Sequence, residues 1–269
     1  MTESSCKSRV LVTGAGGGMG KAVCMLLCEK GYRVWGLDKF FADTSLPYSC
    51  IKADLTKQED IDAAFCQIRN EAGSLNAIVH LAGLYDLGSL VELSEERFLR
   101  IFEVNLFAVY RVNKTFLPLL APKSRILLTS SELAPLAPMP FTGLYAVTKS
   151  AVEKYACSLR MELQLLGHKI SLLRPGAVKT ELLKVSTTRL DEFCKETALY
   201  SCNAKRFKKI VDSVESRNVP PEKVAKLVLK ILQAGSPRYV YHINRNPLLC
   251  LWGLMPASLQ TWVIRKILK

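Results

Sequence analysis

The stretch VLVTGAGGGMGKAV, Val10 to Val23, constrains the chain more than any other. A short apolar run leads through Gly14, Gly16, Gly17, Gly18 and Gly20 into a segment of helical period. Glycines there allow a tight turn and a close backbone approach to a pyrophosphate, and the helix start behind them offers free N–H groups and a favourable dipole. A strand, a glycine loop and a helix in that order are the opening of a βαβ unit that binds a dinucleotide.

The remainder of the chain continues the alternation. Strands are expected at Arg9–Thr13, Arg33–Leu37, Ser49–Ala53, Ala77–Leu81, Arg125–Ser130, Lys169–Arg174 and Tyr239–His242. Helices are expected at Met19–Lys30, Lys57–Asn70, Glu95–Leu120, Leu144–Leu166 and Pro221–Ala234. Short connections between strands and helices imply an α/β fold, a Rossmann-type doubly wound parallel sheet covered on both faces, in a single domain with a C-terminal amphipathic extension. The catalytic domain is expected over residues 8–245, with a polar, irregular, substrate-covering segment at Thr180–Val219 and an apolar, basic tail at 246–269.

Asp38 ends the second strand, 18 residues beyond Gly20. A carboxylate there accepts hydrogen bonds from the ribose hydroxyls of NAD and repels the 2′-phosphate of NADP. Lys39 follows at once and is able to pair with that phosphate, so NAD is favoured while NADP stays possible. Asp54 ends the third strand and either approaches the adenine edge or caps the next helix.

Further along, Tyr145 and Lys149 stand four residues apart at the start of a helix. Such a pair shares one helix face, and an ammonium beside a phenol lowers its pKa, which makes a general acid or base.

Read in order, these motifs make the chain resemble the short-chain dehydrogenase/reductase family over about residues 8 to 245, and its hydroxysteroid and retinol dehydrogenase members in particular. TGAGGGMG fits the family's TGxxxGxG loop, HLAG (His80–Gly83) stands where NNAG is usual, and VNLFA carries Asn105. LLTSS (Leu127–Ser131), YAVTK (Tyr145–Lys149) and RPGAVKT (Arg174–Thr180) complete the set. The resemblance implies an oxidoreductase that interconverts an alcohol and its carbonyl with NAD or NADP. It implies catalytic roles for Ser131, Tyr145, Lys149 and Asn105: Tyr145 as general acid or base, Lys149 lowering its pKa and holding the nicotinamide ribose, Ser131 polarising the substrate oxygen. Asn105 would hold the helix geometry and a relay water. The cofactor-binding residues implied are Gly14, Gly18, Met19 and Gly20 in the first loop, with Asp38, Asp54 and Leu55 along the adenosine side. Ala82, Gly83, Tyr145, Lys149, Pro175, Gly176, Val178 and Thr180 would lie toward the nicotinamide.

The chain departs from the family pattern in three places. Ser131 lies fourteen residues before Tyr145 where thirteen is usual, so either one residue is inserted or Ser130 is the functional hydroxyl. His80 replaces an Asn and is expected as a hydrogen-bonded core histidine. RYVYHINRNP takes the place of the common final strand with its glycine pair.

The tail NPLLCLWGLMPASLQTWVIRKILK mixes apolar residues at helical spacing with Arg265, Lys266 and Lys269. It either lies in a membrane interface or packs over the cleft or a dimer partner. A hydrophobic small-molecule substrate (a steroid, a retinoid or another lipid-like compound) is expected, along with a homodimer. The rival is a catalytically silent cofactor-binding scaffold or sensor of the same fold, tethered to membrane by its tail. The net charge of +13 has its densest basic run in AKRFKKIVDS (Ala204–Ser213), which is short and expected to be one helix face, so no nucleic-acid partner is expected. Nine scattered cysteines without metal-ligand spacing point to reduced thiols and no metal. The first apolar run is too short for a signal peptide and no segment reaches the about 18 apolar residues of a membrane span. An intracellular protein, cytoplasmic or peripherally membrane-associated, is the expectation.

Overall fold

A computed structural model describes residues 8–43 and 45–269, the side chains of 182–187 and 215 excepted. Valine, isoleucine and leucine fill the apolar runs, and these become strands β1 (Arg9–Thr13), β2 (Arg33–Asp38), β3 (Ser49–Lys52), β4 (Leu75–His80), β5 (Leu120–Thr129), β6 (Lys169–Pro175) and β7 (Val240–Ile243). They pair in parallel in the order β3-β2-β1-β4-β5-β6-β7. Successive side chains point to opposite faces, and the two faces have separate cores. Leu11, Ile78, Ile126 and Leu172 join one with helices α2 (Gln58–Ala72), α4 (Ala108–Phe116) and α5 (Gly143–Leu163). Their neighbours Val12, Val79, Leu127 and Leu173 join the other with α1 (Gly18–Glu29) and α8 (Pro221–Gln233). Each side chain fully buried in this way contributes about 1.5–3 kcal/mol.

The chain leaves β1 toward β2 on one side and returns to β4 on the other. That reversal opens a crevice beyond the carboxyl ends of the strands, where ligands bind in such sheets.

Two expectations need correction. The helix expected at Glu95–Leu120 is divided: α3 (Glu95–Phe102) runs into a π-helical turn at Glu103–Phe107 and then into α4, and Leu120 already belongs to β5. The wider turn carries Asn105, which is buried, and π turns inside helices recur at functional sites. The segment Thr180–Val219 is not irregular but forms α6 (Glu181–Glu196) and α7 (Ser201–Glu215). Its polar composition reflects a pair of helices buried along a single seam. Leu190, Phe193, Ala204 and Phe207 pack there with Leu87 and Leu268. The tail supplies α9 (Pro247–Leu254) and α10 (Ala257–Leu268). Among the described residues no helix is long and apolar enough to cross a membrane.

Eight cysteines are free thiols, and Cys6 lies outside the described residues. Among the described residues no group of three His, Cys, Asp or Glu side chains is placed to hold a metal.

His80 closes β4 as a core histidine, with Nε2 2.8 Å from Asn113 Oδ1. Burial disfavours its charged form and brings its pKa down to about 4, against the opposing pull of the Asn113 hydrogen bond. A histidine depressed in the folded state takes up its proton first on unfolding. Stability is therefore lost as pH falls from about 6.5 toward 4, by up to about 3 kcal/mol for this group. In urea unfolding across that range, His80→Gln, which keeps a donor for Asn113 but cannot titrate, is expected to flatten the decline. An identical slope in wild type and variant would refute the assignment.

Candidate active site

The first loop closes backbone on backbone. Gly14 has φ +73°, and its N–H donates to Leu37 O at 2.8 Å. A Cβ on Gly14 would lie 2.5 Å from Ala82 N, and one on Gly20 would lie 2.0 Å from Gly14 O. Neither position admits a side chain. Gly17 caps α1 without a side-chain hydrogen bond, so the first N–H groups of that helix face the crevice as an anion cradle. The residues present thus fit the pyrophosphate of a dinucleotide.

On the adenosine side, Asp38 accepts from Gly16 N at 2.9 Å and Phe40 N at 3.2 Å. Lys39 also lines the crevice, with its ammonium paired to Asp54 Oδ2 at 2.8 Å. Asp54 also accepts from Thr56 N and Oγ1 at 3.1 and 2.7 Å. Burial pulls its carboxyl upward, and the hydrogen bonds from Lys39 and Thr56 outweigh it, holding the pKa at about 2. Asp54 is not the cap of α2, a position taken by Lys57. It lines the crevice wall instead.

The helix-borne pair lies deeper. Tyr145 and Lys149 are 8% and 4% exposed, with Lys149 Nζ 5.7 Å from the Tyr145 ring centre. Lys149 donates to Thr129 O at 3.0 Å. Ser131 stands close enough to the Tyr145 phenol to pull its pKa down. Ser130, by contrast, turns away and donates to Glu153 Oε1 at 2.7 Å, where Arg174 also binds through Nε and Nη2 at 2.7 and 2.6 Å. Of the two serines, Ser131 stands with the phenol. Asn105 has its amide fully engaged: Oδ1 accepts from Leu84 N at 2.7 Å, and Nδ2 donates to Leu84 O and Thr148 Oγ1, both at 3.0 Å. It fastens the loop after β4 to α5.

The electrostatics differ from the expected tuning. Burial raises the Tyr145 phenol to about 12, with nearby Ser131 pulling the other way, and burial lowers Lys149 to about 8. The lysine does not make an acidic phenol in this state; desolvation of both groups dominates. A neutral phenol and a mostly protonated amine remain near pH 7.

A crevice of about 980 Å³ joins these parts. Gly14, Gly18, Met19, Gly20, Asp38, Asp54, Leu55, Ala82, Gly83 and Thr180 all line it. Ser131, Tyr145 and Lys149 stand behind its inner wall. A Cβ on Gly83 would come within 3.3 Å of Asn105 Oδ1 and 3.5 Å of Lys149 Nζ, so the wall there is one backbone thick. Pro175, Gly176 and Val178 are not brought to the crevice. Gly176 abuts Asn244 and Glu132, and Val178 bridges Val219. Thr180 occupies the cap position of α6 but makes no capping hydrogen bond. Its methyl faces Gly18 instead.

Two features of the site escape sequence reasoning. Tyr85 lines the crevice and covers Tyr145, with ring centres 4.5 Å apart. Glu96, Arg100 and Glu103 form the outer wall. Their three- and four-residue spacing marks one helix face but not which way it turns.

The model for the short chain dehydrogenase family matches residues 8–191. Estradiol 17-beta-dehydrogenase 2 of Mus musculus is 29% identical over 96% of this chain and 74% of its own length. 3-Ketodihydrosphingosine reductase of Bacteroides thetaiotaomicron is 26% identical over 86% of this chain and 85% of its own. Among solved structures, 3-ketoacyl-(acyl-carrier-protein) reductase from Brucella melitensis complexed with NADH superposes with a TM-score of 0.71 at 20% identity, covering 89% of this chain and 98% of that one. A Rossmann-type parallel sheet, a glycine cradle at its reversal point and a match over most of the length lead to one conclusion: the chain belongs to the short-chain dehydrogenase family, oxidoreductases that act on CH–OH groups with NAD or NADP.

Proposed function

We propose that this oxidoreductase uses NAD(H) to interconvert a hydrophobic alcohol and its carbonyl, with Tyr145 as the proton donor and acceptor. The observation that carries the proposal is the buried Tyr145 phenol with Lys149 beside its ring and Ser131 nearby, one backbone behind the dinucleotide crevice. A nicotinamide dinucleotide bound in that crevice supplies or takes up the hydride. Residues Gly14 to Gly20 would hold its pyrophosphate, Asp38 its adenosine ribose, and Lys149 its other ribose. In reduction the neutral phenol gives its proton to the substrate oxygen, and Ser131 donates a hydrogen bond to the same oxygen as charge develops. The Lys149 ammonium stabilises the phenolate left behind. A single positioned donor of this kind contributes about 3 kcal/mol in a dry site.

An apolar substrate is supported by the side chains packed around the phenol, namely Ile101 and Leu144 with Leu84, Tyr85, Leu93 and Leu133. Relatives named for estradiol and for 3-ketodihydrosphingosine point in the same direction. Preference for NAD over NADP rests on Asp38 at the ribose position and on Lys39 being held by Asp54. The expected partner is a second copy of the chain, in keeping with the half-exposed Phe107, Tyr110, Val147 and Met161 on the outer sides of the π turn, α4 and α5.

Two experiments test this. Tyr145→Phe is expected to bind NADH as wild type does, followed by fluorescence, while turnover on a panel of steroid, retinoid and long-chain carbonyls falls about 10²–10⁴-fold. Undiminished turnover would rule Tyr145 out as the acid. For the cofactor, wild type is expected to prefer NADH over NADPH in kcat/KM, and Asp38→Ala to narrow or invert the ratio. Equal use of NADPH by wild type would overturn the assignment of Asp38.

A further inference from the structure

Helices α9 and α10 present an apolar surface outward. On α9, Leu248, Leu251 and Leu254 are 62%, 61% and 82% exposed; on α10, Leu259, Trp262 and Ile267 are 42%, 58% and 50% exposed. This is not a failure of docking. α10 is seated through Leu268, which packs into the cluster of α6 and α7 and whose carbonyl accepts from Asn203 Nδ2 at 2.7 Å and Arg206 Nη1 at 3.3 Å. At helical spacing, Leu259, Trp262, Val263 and Lys266 fall on the side opposite Leu268. The helix therefore carries a second apolar stripe that the described residues leave largely exposed.

Charge identifies what covers it. No Asp or Glu follows Glu222, while Arg245, Arg265, Lys266 and Lys269 lie in or beside the two helices. Lys205, Arg206 and Lys209, from the basic run of the sequence, are exposed on α7, against which α10 packs. Lys266 Nζ lies 6.0 Å from the Trp262 ring centre, a tryptophan and lysine pairing suited to the headgroup level of a bilayer. A second copy of a chain with net charge +13 would bring like charges together on this face, and protein interfaces are depleted in lysine at their centres. Nucleic acid would engage the cations and leave Leu254 in water. The helices extend about 12 and 18 Å, too short for a hydrocarbon core of about 30 Å.

We propose that α9 and α10 form an interfacial foot that docks on an anionic lipid surface, Leu254, Leu259 and Trp262 entering the acyl boundary while the flanking cations meet lipid phosphates. The foot does not depend on the reaction assigned above.

The test is co-sedimentation of the full chain with phosphatidylcholine vesicles with and without about 30% phosphatidylglycerol, alongside the double variant Leu254→Glu/Trp262→Glu. Wild type is expected to sediment with the anionic vesicles, and the variant to bind at least about tenfold more weakly. An unchanged melting temperature in the variant shows that it is folded. Independently of any variant, brominated lipid in the anionic vesicles is expected to quench wild-type tryptophan emission, because Trp262 is exposed whereas Trp35 is fully buried. Three results overturn the proposal: no binding of wild type to anionic vesicles; equal binding by the variant, which would place the attraction in cations elsewhere; or loss of self-association by the variant without lipid, which would make the face an interface between copies.

Discussion

Strands β1 and β4 are neighbours that end at the same level, and beyond their ends the backbone of Gly14 meets the backbone of Ala82 with no side chain between them. That contact sets the depth of the crevice. It brings the loop after β4 close to the cradle at the start of α1, so that one wall of the dinucleotide site is also the back of the Tyr145 pocket. Gly83 continues the wall, with Asn105 and Lys149 directly behind it. A side chain at Gly14 would push the two halves apart, and one at Gly83 would press on the Asn105 amide.

What lies behind the wall is expensive to bury. Lys149 is an ammonium at 4% exposure, held by one carbonyl, that of Thr129. Desolvation of such a cation lowers its pKa, here to about 8. The same dryness raises Tyr145 to about 12. Each group is destabilised in its charged form, and each would be relieved by the other's ionisation: a phenolate beside the ammonium is the pair that restores balance in a low dielectric. Under the proposed mechanism, such a site would favour proton loss from Tyr145 when a substrate oxygen accepts it, rather than hold an anionic phenol at rest. The π turn supports this by turning the Asn105 amide onto Leu84 and Thr148, which fixes the loop and α5 to one another.

The parallel sheet, the cradle and the Tyr145–Lys149 pair are legible in the sequence because local chemistry fixes them. Glycine spacing, alternating apolar runs and an i, i+4 pair leave few alternatives. The division at Glu103–Phe107 is not legible, since EVNLF carries no proline or glycine and its extra residue per turn comes from tertiary contacts of Asn105. Nor is the choice between Ser130 and Ser131, which depends on where Glu153 and Arg174, far along the chain, meet at 2.6 Å. The same limit hides Tyr85. An aromatic residue after HLAG has no pattern of its own, and only the approach of α5 places it on Tyr145.

One strained residue links the start of α5 to helices α6 and α7. Phe141, four residues before Tyr145, has φ +66°, a conformation that costs a side-chain-bearing residue about 1–2 kcal/mol. Its ring meets Phe193, Tyr200 and Phe207 at 4.8, 5.3 and 5.4 Å between centres, and contacts of this kind contribute about 0.5–1.5 kcal/mol each beyond the area they bury. The strain persists because these three ring contacts offset it. The joint between α6 and α7 is held as well, by Glu92 accepting from Thr197 Oγ1, Ala198 N and Leu199 N. Helices α6 and α7 are therefore joined through the Phe141 ring to the start of α5, four residues before Tyr145.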